Sequence, residues 1–230
     1  MDHEQDLSFD LIDEDEEIHT VLKVAGLTII ENMAGFVGIH GTTGTAKSDW
    51  GRILVSMAIK AGASARYTLG KAVEQSLFPK REDDSRDHAI RGEAMDVLKR
   101  VTLLVVDEAQ DINWEHPWIS AQMGAFFEDR YRAATHPDRE QRQVTVLISQ
   151  EPFGYLPPRL QSRLRDGHFQ VPWPDGVPAP KGYVGADGLV QWPIQVIAED
   201  YRPVHPTAMR PISRLALMHP DTHEVLEEIF

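Results

Sequence analysis

Apolar residues along this chain follow two rhythms. Short runs at 35–40 (GFVGIH), 65–69 (ARYTL), 102–108 (TLLVVDE) and 143–149 (QVTVLIS) predict strands. The last two are nearly unbroken, which predicts burial on both faces of a parallel sheet. Between the runs, residues 47–62, 70–78, 93–100 and 118–134 carry helical patterns, and the charged PKREDDSRDH at 79–88 predicts a loop. Strands alternating with helices predict a doubly wound α/β sheet.

The pattern breaks near residue 170. Of fifteen prolines, only Pro79, Pro117 and Pro137 precede Pro152, and proline both removes a backbone donor and disrupts helix interiors. Residues 171–230 are therefore expected to form an irregular, proline-rich extension to a core at 21–170. Within it, LVQWPIQVIAEDY (189–201) predicts an edge hairpin, and HPDTHEVLEEIF a short helix capped by Asp221 or Thr222.

Charge changes the picture at both ends of the core. Residues 1–20 hold nine acidic side chains and no Lys or Arg, so the net charge of −13 becomes −4 for the rest of the chain. This segment is expected to be a flexible acidic arm, either simply solvated or binding a partner. Residues 130–165 carry seven arginines (130, 132, 139, 142, 159, 163, 165) against Asp138, Glu140 and Glu151. Bulk acidity thus does not exclude DNA. No apolar stretch is long enough to span a membrane, no leader is visible, and cysteine is absent. These features suit a cytoplasmic protein with neither disulfides nor thiolate metal sites.

Residues 41–48 read GTTGTAKS between a predicted strand and a predicted helix. A phosphate-binding loop has the form G-x-x-x-x-G-K-[S/T] in that context, so Gly41, Lys47 and Ser48 are in register while Ala46 replaces a glycine. A triphosphate needs backbone donors, a cation and a metal ligand. Consecutive amides through Gly41, Thr42, Thr43, Gly44, Thr45, Ala46, Lys47, Ser48 and Asp49 can curl around phosphate at a helix N-terminus. Lys47 would bridge the β- and γ-oxygens of ATP, and Ser48 would offer its hydroxyl to Mg²⁺. The expected companion is LLVVDEAQD at 103–111, an apolar strand ending in acids. Asp107 would hold the Mg²⁺ shell and Glu108 would orient or deprotonate the attacking water. QVTVLISQE places Ser149 and Gln150 at the end of the neighbouring strand, as a sensor of the γ-phosphate. Arg159, Arg163 and Arg165 follow, where an arginine finger would lie.

In this order the motifs resemble the AAA+ ATPases, specifically the DnaA/DnaC/IstB group of replication initiators, helicase loaders and transposition ATPases. GIHGTTGTAKS is similar to their Walker A segment, LLVVDEAQD to Walker B, and FFEDRY (126–131) to the helix after Walker B. VLISQ is similar to the sensor-1 strand, with Gln150 in place of the usual asparagine. RLQSRLRDG is similar to the arginine-finger segment, which puts the finger at Arg163. The resemblance spans about residues 35–170. It implies a P-loop three-layer sandwich of AAA+ type and ATP-driven assembly on DNA as a homo-oligomeric ring or spiral. It also implies a partner enzyme, a replicative helicase or a transposase. Three departures stand out: Ala46, the lack of a larger N-terminal domain, and no recognisable helical lid at 171–230.

Helicase loading is the leading expectation. A MuB/TnsC-like transposition regulator is the alternative, because DEAQ also occurs there. A small-molecule kinase would need an acceptor pocket and lid arginines, and a non-hydrolysing nucleotide-gated scaffold would not need Glu108. Trp114, Trp118, Phe126 and Phe127 are expected in the core, with DNA stacking or a subunit contact as the other option. The histidines show no metal-ligand spacing.

Overall fold

The computed structural model of the protein describes residues 9, 17–77, 94–165, 169–179, 181–196, 215–218 and 225–229. The predicted loop at 79–88 lies outside them.

Helix α1 (Glu17–Asn32) opens the described chain. Its Ile18, Val21, Leu22, Ala25 and Ile29 are all buried, at the spacing that puts them on one helical face. Strand β1 (Gly35–Gly41) leads into α2 (Lys47–Lys60), and β2 (Ala65–Leu69) into α3 (Gly70–Leu77). A helix at 94–100, α4, precedes β3 (Leu103–Asp107). Helix α5 (Pro117–Ala134), β4 (Val144–Ser149) and α6 (Pro158–Arg163) complete the repeated pattern. A short strand, β5 (Ile194–Val196), follows.

The five strands form one sheet in the order β2-β3-β4-β1-β5, and every pairing is parallel. Val37 and Val105 both register with Val146 of the central strand β4. Side chains alternate between faces along each strand. Leu103 and Val105 join Val37, Ile39, Val146 and Ile148 against α1 and α2, whose Leu22, Ile53 and Leu54 close that side. Leu104 and Val106 join Phe36 and Leu147 against α5, through Met123, Phe126 and Phe127. Each fully buried side chain of this kind contributes roughly 1.5–3 kcal/mol. The expected α/β sandwich with burial on both faces is therefore what the chain forms.

Two indole N–H groups tie helix and loop to the core. Trp50 of α2 donates to the Leu22 carbonyl at 2.6 Å, and Trp114 donates to the Ala109 carbonyl at 2.9 Å. Trp114, Phe126 and Phe127 are buried, whereas Trp118 is exposed. Phe9 packs on Trp50, ring centroids 6.2 Å apart, and against Gly26, where an added Cβ would lie 2.1 Å from its ring. Phe9 is thus part of the core, and α1 already begins at Glu17.

The C-terminal region departs from expectation in two places. Residues 189–196, the described part of the expected hairpin at 189–201, do not pair as one. Ile194–Val196 instead extend the main sheet as a parallel edge strand on β1, while Leu189 and Val190 make isolated bridges to Pro172 and Val184. Burial decides this: Ile194 and Val196 enter the α1–α2 side of the core and Gln195 faces out. The core thereby runs past residue 170. The expected terminal helix is also not formed at 225–229. Strand β7 (Val225–Ile229) pairs antiparallel with β6 (Leu215–Met218), Leu215 opposite Ile229. Its β-branched ends suit a strand, which outweighs the helical reading of VLEEI. Asp221 and Thr222 lie outside the described residues.

Candidate functional site

The C-terminal ends of β1, β3 and β4 open on one edge of the sheet, where open α/β sheets place ligands. There the loop 42–46 turns the chain from β1 into the 14-residue helix α2. Gly41 has φ 150°, and a Cβ on it would lie 2.1 Å from the Val196 carbonyl oxygen. Its lack of a side chain therefore lets β5 pair alongside. Ala46 is the N-cap of α2 with φ 57°, in the left-handed region, and makes no side-chain cap. The amides of the first turn are thus left without a side-chain acceptor, an arrangement suited to an anion.

Lys47 is 6% exposed, and its ammonium donates to the Thr42 carbonyl at 2.5 Å and to Thr45 Oγ1 at 3.0 Å. Thr45 Oγ1 also donates to the Thr42 carbonyl, at 3.0 Å. Burial draws the Lys47 ammonium below the usual lysine range, against the opposing charge of Asp107. His40, at the end of β1, sits edge-on to Phe153 with centroids 5.7 Å apart. Burial and then the Lys47 charge lower its imidazole below the ordinary histidine value.

Asp107 ends β3 and is buried. Its Oδ1 accepts the Glu108 backbone N–H at 2.8 Å, and its Oδ2 accepts the hydroxyl of Tyr67. Glu108 has φ 52°, a strained setting for a non-glycine residue and one typical of functional sites. Gly70 accommodates it, because a Cβ there would lie 2.6 Å from the Glu108 carbonyl oxygen. Burial first, then the charges of Asp107 and Asp111, push the Glu108 carboxyl above the usual glutamate range. Such a carboxylate is a better proton acceptor than an ordinary glutamate.

These residues surround a cavity of about 250 Å³, lined by Thr43 through Asp49, Arg52, Asp107, Glu108, Ser149 and Gln150. Gln150 is tied into the loop: its Oε1 accepts from Thr43 Oγ1 at 3.3 Å. Its backbone N–H donates to Gln110 Oε1, also at 3.3 Å. Burial pushes the Asp49 carboxyl up, and the Arg52 guanidinium, 3.0 Å away, pulls it back. Lys47, Ser48, Asp107, Glu108 and Gln150, far apart in sequence, are therefore brought together. Gly41 and Thr42 do not line the cavity; Gly41 packs against Val196 and the Thr42 carbonyl accepts from Lys47.

Arg163 is placed elsewhere in the protomer. Its Nη2 donates to Glu128 Oε1 at 3.2 Å and its guanidinium lies 4.3 Å over the Tyr131 ring. Arg159 shares that Glu128 oxygen at 2.8 Å. Three cavity neighbours escape the sequence reading. Arg52 stands one helical turn after Ser48 and was readable from that spacing, whereas Tyr67 and Gln110 enter only through tertiary contact.

The residues fit a nucleotide with Mg²⁺: a buried ammonium, an uncapped helix N-terminus, and a hydroxyl and a carboxylate on the same side of the cavity. Ala46→Gly tests the loop. A left-handed alanine is strained by about 1–2 kcal/mol, while glycine gives back about 0.4–1 kcal/mol through unfolded-state entropy. The variant is expected to melt roughly 1–4 °C higher in a calorimetric scan. ATP affinity should change less than about threefold, since the loop already holds the left-handed conformation. A large affinity gain would instead mean that the methyl group obstructs the phosphates.

No family model matches the sequence, and no curated protein does. Among solved structures, the replication initiator DnaA bound to AMPPCP and single-stranded DNA is similar: 18% identity, TM-score 0.51, over 69% of this chain and 47% of that one. AMPPCP-bound DnaA from Aquifex aeolicus is similar at 19% identity and TM-score 0.50, over 69% and 47%. Domain III of the Thermotoga maritima replication initiation protein DnaA has 14% identity and TM-score 0.50, over 69% and 63%. The chain thus spans about half the length of the first two. Among the described residues no helix is long and apolar enough to cross a membrane. At these identities the likeness is one of fold: the all-parallel sheet with its flanking helices resembles that of these DnaA structures.

Proposed function

We propose that this chain is a Mg²⁺-dependent ATPase that assembles as a ring or spiral on DNA and loads or regulates a partner enzyme, most simply a replicative helicase. The observation that carries this reading is the convergence of Lys47, Ser48, Asp107, Glu108 and Gln150 on one cavity at the start of α2. In this reading the loop amides and Lys47 bind the phosphates, and Ser48 and Asp107 hold the metal. Mg²⁺ held there would supply charge neutralisation to the phosphates. Glu108 takes the proton of the attacking water, its raised pKa suiting it to that task. Gln150, fixed by Thr43 and Gln110, reports the γ-phosphate to β4. Arg163 of a neighbouring copy completes the site. The DnaA fold, seen in structures holding AMPPCP and single-stranded DNA, supports the same reading.

The DEAQ string at 107–110 favours a second reading, a transposition regulator that selects target DNA. Co-purification with a hexameric helicase or with a transposase separates the two. The site itself is tested by Lys47→Ala. A phosphate that loses a cation about 4 Å away at an effective dielectric of about 20 loses roughly 4 kcal/mol of attraction. ATP affinity measured with a fluorescent analogue should therefore drop about 100-fold or more. Unchanged affinity would remove the loop from the site. ATPase rate with and without single- and double-stranded DNA, measured with oligomeric state, then tests the coupling.

A further inference from the structure

Tyr67 has no part in the motifs, yet it reaches the centre of the site. It stands in the middle of β2, two residues before the position that registers with Asp107. Its ring lies under α2 where Gly51 leaves space. A Cβ on Gly51 would lie 3.4 Å from Tyr67 Cε2, 3.0 Å from Val105 and 2.8 Å from Ile148. Glycine inside a helix costs about 1 kcal/mol relative to alanine, so the close approach of ring and helix is the physical reason for it. The other support is Arg52, whose guanidinium lies 5.2 Å over the ring while its Nη1 holds Asp49 Oδ1 at 3.0 Å. With the ring fixed by both contacts, its hydroxyl donates to Asp107 Oδ2. Asp107 Oδ1 is held separately by the Glu108 N–H at 2.8 Å. The plane of the carboxylate is therefore set from both of its oxygens. Each oxygen keeps a further lone pair for a second partner.

We propose that Tyr67 is a positioning residue for the metal: its hydroxyl fixes the Asp107 carboxylate in the orientation that receives Mg²⁺. This rests on the nucleotide site proposed above. Outer partners of metal-binding carboxylates commonly change metal affinity 10–100-fold when removed. Tyr67 acts mainly through Asp107, and also interacts with the Ser48 side chain; it touches neither nucleotide nor metal. The network Asp49–Arg52–Tyr67–Asp107 also joins the first turn of the phosphate-binding helix to the end of β3.

The test is Tyr67→Phe, which keeps the ring and its packing and removes only the hydroxyl. Binding of a fluorescent, non-hydrolysable ATP analogue is measured in EDTA and across a Mg²⁺ titration. The variant is expected to match the wild type within about twofold in EDTA, with its Mg²⁺ midpoint raised about tenfold or more. In the Asp107→Ala background the same substitution should produce a smaller shift, because the carboxylate that Tyr67 orients is gone and only its interaction with Ser48 remains. An unchanged midpoint with normal wild-type binding overturns the role of Tyr67 alone, and so does an undiminished shift in the Asp107→Ala background. A wild type that binds no analogue in EDTA or Mg²⁺ overturns the nucleotide site, and the inference with it.

Discussion

Arg163→Ala is expected to bind ATP like the wild type and to hydrolyse it at least 1000-fold more slowly, about the contribution of an arginine that neutralises charge on a γ-phosphate. Arg163 does not line the cavity, so in the proposed assembly the loss acts through a neighbouring copy. Within the protomer the guanidinium rests on Glu128 and over Tyr131. Burial works to raise the Glu128 carboxyl, but the hydrogen bond and charge of Arg163, then Arg159 and Arg132, hold it below the usual glutamate range. Reaching a neighbouring phosphate means leaving that carboxylate, with Arg159 and Arg132 remaining as its partners. The cation–π contact is worth about 0.5–1 kcal/mol at a partly exposed site. Folding should therefore survive the substitution, and thermal melting within a few degrees of wild type confirms that. The decisive measurement mixes Arg163→Ala with Lys47→Ala. The first retains an intact loop, the second supplies the arginine, and activity should return at intermediate ratios. No rescue at any ratio would count against action between subunits.

The sheet was legible because its strands are buried on both faces. TLLVVDE has almost no polar interruption, and Leu103 and Leu104 do enter opposite halves of the core. Asp107, Glu108 and Gln150 were legible for a related reason, as polar residues at the ends of such strands. Helix α1 was obscured by composition: Ile18, Val21, Leu22, Ala25 and Ile29 have helical spacing, but nine acids crowd the first twenty residues. The three residues of β5 carry too short a pattern to distinguish a hairpin from a parallel edge strand, and the core on α1 and α2 makes that choice. Tyr67 was illegible because its hydroxyl meets a carboxylate 40 residues away, through a strand register that no local pattern encodes. Ala46 shows the limit in a single residue. The sequence leaves φ open, and the backbone fixes it at 57°.

Arg130→Leu is expected to destabilise the fold by about 3–5 kcal/mol, a large share of the 5–15 kcal/mol typical of a domain. Arg130 is 1% exposed, and among the described residues none of its hydrogen-bond acceptors is a carboxylate. Its Nε donates to Thr145 Oγ1 at 2.7 Å and its Nη2 to the Val144 carbonyl at 2.7 Å. Its Nη1 donates to the carbonyls of Leu98 and Val101, at 2.8 and 3.1 Å. One planar fork thus joins α5, the end of α4 and the start of β4. Burial lowers its pKa to about 9, so the side chain remains charged at neutral pH. The four oxygens solvate that charge in place of water. Leucine fills much of the volume but removes every donor, and a buried acceptor that loses its donor costs about 1–3 kcal/mol. Lysine keeps the charge but cannot present three nitrogens in one plane, so Arg130→Lys should recover less than half of the loss. Urea unfolding of the three proteins measures this directly. A leucine variant as stable as the wild type would show that apolar packing replaces the fork at no net cost, and that Arg130 is held for another reason.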